Sequence, residues 1–272
     1  MNNKLKLLNL GCGSRYHPDW INIDFGSNNK DVLAYDLLKG IPYRDNIFDV
    51  VYHSHLIEHL PKEQTADFIN ECYRILKPGG IIRLATPNLE KIVSNYTKYL
   101  KGALTKNKLA DLKYDWTMIE LYDQCVRNFT GGEMGKIYSQ NNNPISNFIY
   151  KRMGIKLINK NNINKKNNLT NNTRKTLLFD TRISLKDRLL MLILGRNFQY
   201  YQLGRFRLSG EIHQWMYDRL SLARLLRHAG FEDIRIYSAR NSRIPKWNSY
   251  YLDINQDGTV YKPDSIFIEA VK

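Results

Sequence analysis

The chain has 272 residues, of which 43% are hydrophobic, 12% aromatic and 25% charged. This length and apolar content suffice for one large domain with a buried core, or for one domain that carries a sizeable insertion. The longest purely apolar run is 189–194, far short of the roughly 20 residues that a membrane-spanning helix needs. The composition therefore predicts that the chain has no transmembrane helix.

The N-terminal sequence and the cysteine count bear on the compartment. Residues 1–6 lack the apolar stretch and the small-residue cleavage site that are typical of a secretory signal. The three cysteines, Cys12, Cys72 and Cys125, are too few and too scattered for a disulfide framework or a cysteine metal site. We therefore expect a cytoplasmic protein, and the spacing predicts no metal site.

The charge of the chain is concentrated in one segment. There are 41 basic and 26 acidic residues, which gives a net charge of +15. Fourteen of the basic residues lie between Lys151 and Arg207, against two acidic ones, so this segment carries +12 of the excess. A positive charge of this size favours nucleic acid, an anionic membrane surface or an anionic substrate as a partner. Because the excess is local, it bears on a docking or substrate surface rather than on the whole protein.

The first elements in the chain form a nucleoside-binding pattern. Residues 5–10 are predicted to form a buried strand that ends in Gly11-Cys12-Gly13, and the next strand, 20–24, ends on Asp24. Such an acid accepts hydrogen bonds from ribose hydroxyls, while the glycines allow a ligand to approach the backbone. The acid follows Gly13 by 11 positions, where a dinucleotide site has about 20, and a third glycine is missing. The pattern therefore favours a ligand that has a ribose but no pyrophosphate.

Alternating strands and helices continue along the chain. The sequence predicts strands at 31–37, 47–53 and 81–87, and a helix that Pro61 opens and residues 77–80 stop. The alternation returns over residues 211–272. This layout predicts an α/β core at 1–95 and 205–272, interrupted by a largely helical insertion at 96–204.

The insertion contains a stretch of low complexity and a helix. Residues 159–172 are rich in Asn and Lys and have no apolar periodicity, so they are expected to be mobile or disordered and to act as a solvated loop. Ser184 is predicted to cap the start of the following helix and Gly195 to stop it. This helix is either a packed cap or a basic amphipathic element on a membrane surface, and packing is the favoured interpretation.

Taken together, the motifs resemble those of class I S-adenosylmethionine-dependent methyltransferases, and of their type 11 branch in particular. The matching motifs are Leu10-Gly11-Cys12-Gly13, Asp24, Asp36-Leu37, Pro42, Phe48-Asp49-Val50-Val51, Glu58-His59-Leu60 and Leu76-Lys77-Pro78-Gly79-Gly80. The short link between strands one and two, and residues 213–218 and 262–270, are similar to a subgroup often found beside glycosyltransferase and surface-polysaccharide genes. The resemblance implies a doubly wound, mostly parallel, seven-stranded sheet of the Rossmann-like methyltransferase type, with the basic insertion after strand five.

The resemblance also implies a cofactor, S-adenosyl-L-methionine, and the residues that bind it. The backbone at Gly11, Cys12 and Gly13 is expected to contact the methionine part, and Asp24 the ribose hydroxyls. Asp36 and Leu37 are expected to meet the adenine, and His53 is counted with the cofactor-binding residues. Cys12 itself is expected to act as a small apolar filler rather than as a nucleophile.

Two histidines are candidates for catalysis. His53, His55 and His59 lie at the carboxyl end of the fourth strand, where open α/β sheets bind their ligands, and His55 is the catalytic candidate among them. His213 lies where the chain returns from the insertion, and it is the best single candidate for a general base. A neutral histidine suits the removal of a proton from a sugar hydroxyl near pH 7.

Three functions remain open at this point. The first is O-methylation of a sugar in a surface polysaccharide or a lipid-linked glycan precursor, by a protein located in the cytoplasm or peripherally at the inner membrane face. Its partners are then a small-molecule or glycan acceptor, with contact to an anionic membrane surface or to glycan-assembly enzymes. The second is RNA methylation with the basic insertion as the nucleic-acid contact, and the third is a non-catalytic partner protein with the same fold. The oligomeric state is left open.

Overall fold

The computed structural model describes residues 5–27, 29–140, 142–155, 157 and 184–272, and it confirms the predicted α/β fold class. Seven strands form one sheet: β1 (Leu7–Leu10), β2 (Ile21–Asp24), β3 (Leu33–Ala34), β4 (Phe48–Ser54), β5 (Leu76–Pro87), β6 (Glu232–Tyr237) and β7 (Ser265–Val271). Their order is β3-β2-β1-β4-β5-β7-β6. β7 runs antiparallel to both of its neighbours, and the other pairs are parallel.

Helices follow the strands and make up much of the described part of the predicted insertion. They are α1 (Lys62–Ile75), α2 (Leu89–Leu104), α3 (Lys108–Val126), α4 (Gly132–Tyr138), α5 (Ser146–Met153), α6 (Leu185–Leu194), α7 (Phe198–Arg207) and α8 (Arg219–His228). The predicted ends of α6 are confirmed: Ser184 Oγ accepts a hydrogen bond from the backbone of Asp187 at 3.0 Å, and Gly195 follows the helix with φ +50°. The Asn/Lys-rich stretch at 159–172 lies outside the described residues.

Two predicted strands differ from the observed ones. The third strand was expected over 31–37 but includes only Leu33–Ala34, because Asp36 Oδ1 accepts a hydrogen bond from Leu38 N at 3.1 Å and starts a short 3-10 helix instead. Side chains of this type compete with the strand ladder by bonding to nearby backbone. The fifth strand begins earlier than expected, since Leu76 already pairs with Phe48 before a shift in register.

The described residues divide into two compact units. The first comprises the described residues up to Val93, together with Arg152–Gly154 and Gln214–Lys272, and the second comprises those of Ser94–Lys151 and Ile155–His213. The first unit thus takes in three residues of the predicted insertion. Gly154 has φ +71°, and a Cβ there would lie 2.5 Å from the carbonyl oxygen of Tyr261, so only glycine fits this approach.

The sheet of the first unit has apolar side chains on both faces. On one face β1, β4 and β5 pack against α1 and α8 through residues such as Leu8, Phe68 and Leu222. On the other face the core is an aromatic cluster around Trp20 and Trp247, whose rings meet edge to face. Burial on both faces explains why all four residues of β1 and five of the seven residues of β4 are buried, rather than every second one.

The second unit contains a buried carboxylate at a helix start. Asp123, on α3, accepts hydrogen bonds from the backbone of Glu133 at 2.7 Å and from the Arg127 guanidinium at 2.6 Å. A carboxylate at the beginning of α4 satisfies amides that have no partner within the helix. Within the part of the chain that the structure describes, no helix is both long and apolar enough to span a membrane. All three cysteines have free thiols.

Candidate active site

The order of the strands creates a crevice at the carboxyl ends of β1 and β4. β1 has β2 as its neighbour along one edge and β4 along the other edge. In the pairing of β1 with β4, Leu10 lies beside His53. Open α/β sheets bind their ligands where the strand order reverses in this way. Gly11-Cys12-Gly13 follows β1 and His55 follows β4, so the predicted glycine turn and one predicted catalytic residue lie at this crevice.

The glycine turn has a backbone conformation that would be strained with any residue other than glycine. Gly11 and Gly13 have φ values of +62° and +50°, and a Cβ on Gly11 would lie 2.8 Å from Leu56 Cδ1. Nothing lies within 4 Å of the position of a Cβ on Gly13, so its backbone faces open space. The Asn9 side chain donates to the carbonyl oxygen of Arg15 at 2.9 Å and fixes the loop that follows. A ligand can therefore approach the backbone of the turn at Gly13.

Asp24 lies directly against the glycine turn. Its Oδ2 accepts a hydrogen bond from Gly13 N at 2.7 Å, although the two residues are 11 positions apart. Its Oδ1 is 3.5 Å from Gly26 N, which is a weak contact. A carboxylate has about four acceptor sites, so Asp24 keeps the capacity to accept bonds from two hydroxyl groups. Its role in ribose binding stays a prediction.

Asp36 and Leu37 lie at the end of the neighbouring strand. The backbone of Tyr35 donates to the carbonyl oxygen of Asp24 at 2.8 Å, which joins this strand end to that of β2. Asp36 caps the short helix that follows, and Leu37 is buried in the core. The contact with adenine that was expected for these two residues stays a prediction.

A cavity of about 230 Å³ lies beside the glycine turn, and we call it the turn cavity. Its lining comes from the glycine turn, the end of β4 and the segment before β7: Asn9, Gly11, Cys12, Gly13, Ser14, Arg15, Tyr52, Ser54, His55, Leu252, Tyr261 and Lys262. Burial, with a smaller contribution from the Asp24 charge, raises the pKa of the Cys12 thiol to about 12. This thiol is protonated at neutral pH, which agrees with its predicted role as an apolar filler.

Two cations at the turn cavity were missed by the sequence analysis. The Arg15 guanidinium stacks on the Tyr261 ring, 3.8 Å from its centroid, and donates a hydrogen bond to Asn255 Oδ1. Lys262 also lines the cavity. Arg15 and Asn255 are 240 positions apart, so no local pattern in the sequence signals that they meet.

His55 lines the turn cavity in a strained conformation. Its φ is +50°, a region that non-glycine residues rarely adopt and that clusters at functional sites. Its Nδ1 lies 3.0 Å from Oε1 of the buried Glu58, and its Nε2 lies 2.7 Å from the hydroxyl of Ser265. Thr86 in turn donates to Glu58 Oε2 at 3.1 Å. The imidazole is therefore held in one orientation by a carboxylate that is itself fixed.

His53 lies on the opposite face of β4 from Tyr52 and Ser54, because side chains alternate along a strand. It is fully buried, its ring contacts that of Phe68 at 5.4 Å, and it does not line the turn cavity. Neither ring nitrogen has a hydrogen-bond partner among the described residues. Burial lowers the pKa of His53 to about 4, which keeps the ring neutral at physiological pH. The predicted cofactor contact of His53 stays a prediction.

This buried histidine should make the stability of the protein depend on pH. The unfolded chain binds a proton at His53 below about pH 6.5, whereas the folded protein resists protonation until about pH 4. The free energy of unfolding should therefore fall as the pH is lowered between these values, by up to about 1.4 kcal/mol per pH unit. Urea denaturation of His53→Leu should show a flatter profile than the wild type. His228→Gln, which changes an exposed histidine, is the control and should keep the wild-type slope.

His213 belongs to the second unit, where it is buried next to α3. Its backbone donates to the carbonyl oxygen of Gln124 at 3.0 Å, and its Nε2 lies 3.0 Å from Gln124 Nε2. The catalytic role of His213 stays a prediction.

A second cavity, of about 570 Å³, adjoins the turn cavity within the first unit, and we call it the outer cavity. The two share Ser14 and Arg15. The remaining lining is aromatic and polar: Tyr16, His17, Tyr250, Tyr251, Asn255, Gln256 and Asp257. The sequence analysis did not single out any of these residues.

A family match and a match to a curated relative each cover less than a third of this chain. A family described as a methyltransferase domain matches residues 8–84. A protein of Mycolicibacterium smegmatis, named as a probable S-adenosylmethionine-dependent methyltransferase, is 43% identical over 51 residues. That segment is 19% of this chain and 19% of the relative, so the match spans about a fifth of the relative's length.

The solved structures that resemble the chain are distant. A SAM-dependent methyltransferase from Archaeoglobus fulgidus has a TM-score of 0.37 and 14% identity, over 98% of this chain and 86% of that one. A complex of the Haloferax volcanii Trm112 methyltransferase activator with a putative methyltransferase also has a TM-score of 0.37. Its sequence identity is 10%, and the match covers 99% of this chain and 83% of that one. Similarity this low carries no functional information. The glycine turn, Asp24 and His55 all fall within residues 8–84, the segment that matches the methyltransferase domain family.

Proposed function

We propose that this protein is an S-adenosyl-L-methionine-dependent methyltransferase. The observation that carries the proposal is the hydrogen bond between Gly13 and Asp24 at the switch point of the sheet, within the segment that matches the methyltransferase domain. The residues fit the cofactor: Asp24 has unused acceptor sites, and the Gly13 backbone faces open space. The turn cavity is smaller than the 300 Å³ or more of a typical whole-ligand pocket, so it suits one part of the cofactor.

Each part of the site has a distinct task in this proposal. Asp24 accepts hydrogen bonds from the ribose hydroxyls, and the cations of Arg15 and Lys262 attract the carboxylate of the methionine part. The cofactor supplies an activated methyl group when it is bound. The chain contributes mainly by holding the cofactor and the acceptor in position, which is the larger part of catalysis in reactions of this type.

We propose a sugar hydroxyl as the acceptor. The outer cavity supports this, because the tyrosine rings of Tyr16, Tyr250 and Tyr251 suit the faces of a sugar ring, and Asp257 and Gln256 suit its hydroxyl groups. An unactivated hydroxyl must lose its proton during transfer, so it needs a general base. His213 and His55 are the candidates for that base. The glycan belongs to a surface polysaccharide or to its lipid-linked precursor.

Replacing Asp24 tests cofactor binding directly. Asp24→Ala should weaken binding of S-adenosylmethionine by about 1–3 kcal/mol, since it removes hydrogen bonds to a charged acceptor. Isothermal titration calorimetry of the purified chain measures this, and Asp31→Ala, which removes an exposed carboxylate nearby, is the matched control. An unchanged affinity in Asp24→Ala contradicts the site, and no heat or thermal shift with the wild type contradicts the cofactor.

The acceptor is tested in the cell. Mass spectrometry of surface glycans should show a methyl group that is missing from a strain without the protein and restored by the wild-type gene. The gene for Asp24→Ala should restore it only in part. Unchanged glycans together with normal cofactor binding contradict the sugar acceptor and leave the methyltransferase assignment intact.

A further inference from the structure

Helix α6, in the second unit, has one apolar face that none of the described residues covers. Leu185, Leu189, Leu192 and Ile193 recur at the spacing that puts side chains on one side of a helix. Their exposed fractions are 84%, 60%, 81% and 69%, and α6 has no buried residue. The sequence predicted that this helix packs against the rest of the protein, but none of the described residues buries these four side chains. An uncovered face of this kind usually marks an interaction site.

Basic residues border this face on both sides. Successive residues are about 100° apart around a helix, so Lys186 lies beyond one edge of the apolar face and Arg188 beyond the other. Both are exposed. Asp187, the single acidic residue of 184–208, lies on the opposite side and accepts a hydrogen bond from Arg205 at 2.9 Å. The exposed charge around the apolar face is therefore entirely positive.

The same character continues into the next helix. Arg196 and Arg207 are exposed, as are the side chains of Tyr200 and Leu208 on α7 and just after it. We call residues 184–208 the basic hairpin. It contains five basic residues against one acidic residue, together with apolar and aromatic side chains that face water.

We propose that the basic hairpin docks on an anionic lipid bilayer, with the apolar face of α6 at the boundary between headgroups and acyl chains. Charge complementarity favours this occupant: the cations on both edges of the face meet anionic headgroups while Leu185 and Leu192 enter the apolar layer. An apolar groove on another protein accounts for the leucines but not for cations along both edges. The proposal is independent of the proposed methyl transfer.

Vesicle sedimentation with the full chain tests the proposal. The protein should sediment with phosphatidylglycerol-containing vesicles, and much less with pure phosphatidylcholine vesicles. Raising the salt concentration from 0.1 M to 0.5 M should weaken binding, because the Debye length shortens from about 10 Å to below 5 Å. No binding to either vesicle overturns the proposal.

Variants separate the hairpin from the other charges of the chain. Lys186→Gln with Arg188→Gln should weaken vesicle binding about 25-fold, at about five-fold per cation, and Leu192→Gln with Ile193→Gln should also weaken it. The controls, Lys101→Gln with Lys108→Gln for the cations and Leu104→Gln for the apolar residues, change exposed side chains elsewhere in the second unit and should bind as the wild type does. Equal binding by hairpin and control variants overturns the proposal.

A fluorescent reporter checks insertion itself. Leu192→Trp should shift its emission to shorter wavelengths on anionic vesicles, and brominated lipids should quench it, whereas Leu104→Trp should show neither effect. Light scattering tests the other occupant, a second copy of the chain. A dimer that Leu192→Gln with Ile193→Gln disrupts, combined with absent quenching in Leu192→Trp, overturns the proposal in favour of self-association.

Discussion

Replacing Arg83 with methionine should lower the free energy of unfolding by about 3–5 kcal/mol, because it leaves two carboxylates buried without their cation. Arg83 is fully buried on β5, between Asp253 at 2.8 Å and Glu269 at 2.6 Å. Its remaining hydrogens reach the carbonyl oxygens of Ser238 and Asn241, so all five donors of the guanidinium are used. Urea denaturation followed by circular dichroism measures the loss.

An exposed ion pair provides the control for this prediction. Arg235 bonds to Asp233 at 2.7 Å, with both side chains largely in solvent, and Arg235→Met should change the stability by less than about 1 kcal/mol. A triple variant with Arg83→Met, Asp253→Asn and Glu269→Gln should recover part of the loss, since it removes the buried charges together. Similar losses in Arg83→Met and Arg235→Met contradict the prediction.

The Arg83 network also supports the turn cavity. Tyr52 lines that cavity and donates its hydroxyl hydrogen to Asp253 Oδ1 at 2.6 Å. Burial and the neighbouring Asp253 charge raise the pKa of Tyr52, so the phenol keeps this hydrogen at all physiological pH values. Leu252, next to Asp253 in the chain, lines the cavity as well. The charged core of the sheet thus fixes one wall of the proposed cofactor site.

Replacing His213 with alanine should abolish methyl transfer while sparing cofactor binding. Removing a general base from a reaction on an unactivated hydroxyl costs about 10²–10⁴-fold in rate. The readouts are glycan methylation in a strain that carries only the variant, and calorimetric titration of the purified variant with S-adenosylmethionine. Full methylation in a strain that carries only His213→Ala shows that His213 is not the general base.

His55→Ala distinguishes the two histidines. His55 lines the turn cavity and is held by Glu58 and Ser265, so its loss should weaken cofactor binding as well as methylation. His55→Gln should retain more of the cofactor affinity, since glutamine keeps a polar side chain at this place. Normal cofactor binding in His55→Ala contradicts this expectation.

The sequence predicted the sheet and the glycine turn because their signals are local. A buried strand, two glycines and a strand-end carboxylate lie within 20 residues, and the structure brings Gly13 and Asp24 into contact. The third strand was predicted too long because its sequence did not show that Asp36 would cap a helix. The end of this strand thus depends on a single hydrogen bond, which the pattern of apolar residues in the sequence does not reveal.

The rest of the site depends on contacts between distant parts of the chain. Arg15 meets Asn255, and His55 meets Ser265, over 240 and 210 positions. Arg83 lies in the strand predicted at 81–87, and its carboxylate partners follow it by 170 and 186 positions. Neither periodicity nor motif spacing carries such information, so the outer cavity and the buried charge network could not be predicted.

The composition of the turn cavity has a consequence for the order in which the protein matures. Its walls come from the loop after β1, from the end of β4 and from Leu252 to Lys262. β7, which lies between β5 and β6, follows every other described strand of the sheet in the sequence. A ribosome that has completed the first 100 residues has therefore produced the glycine turn but not the segment 252–262, which forms one wall of the turn cavity. Under the proposed function, tight cofactor binding therefore requires that the chain is present and folded as far as Lys262.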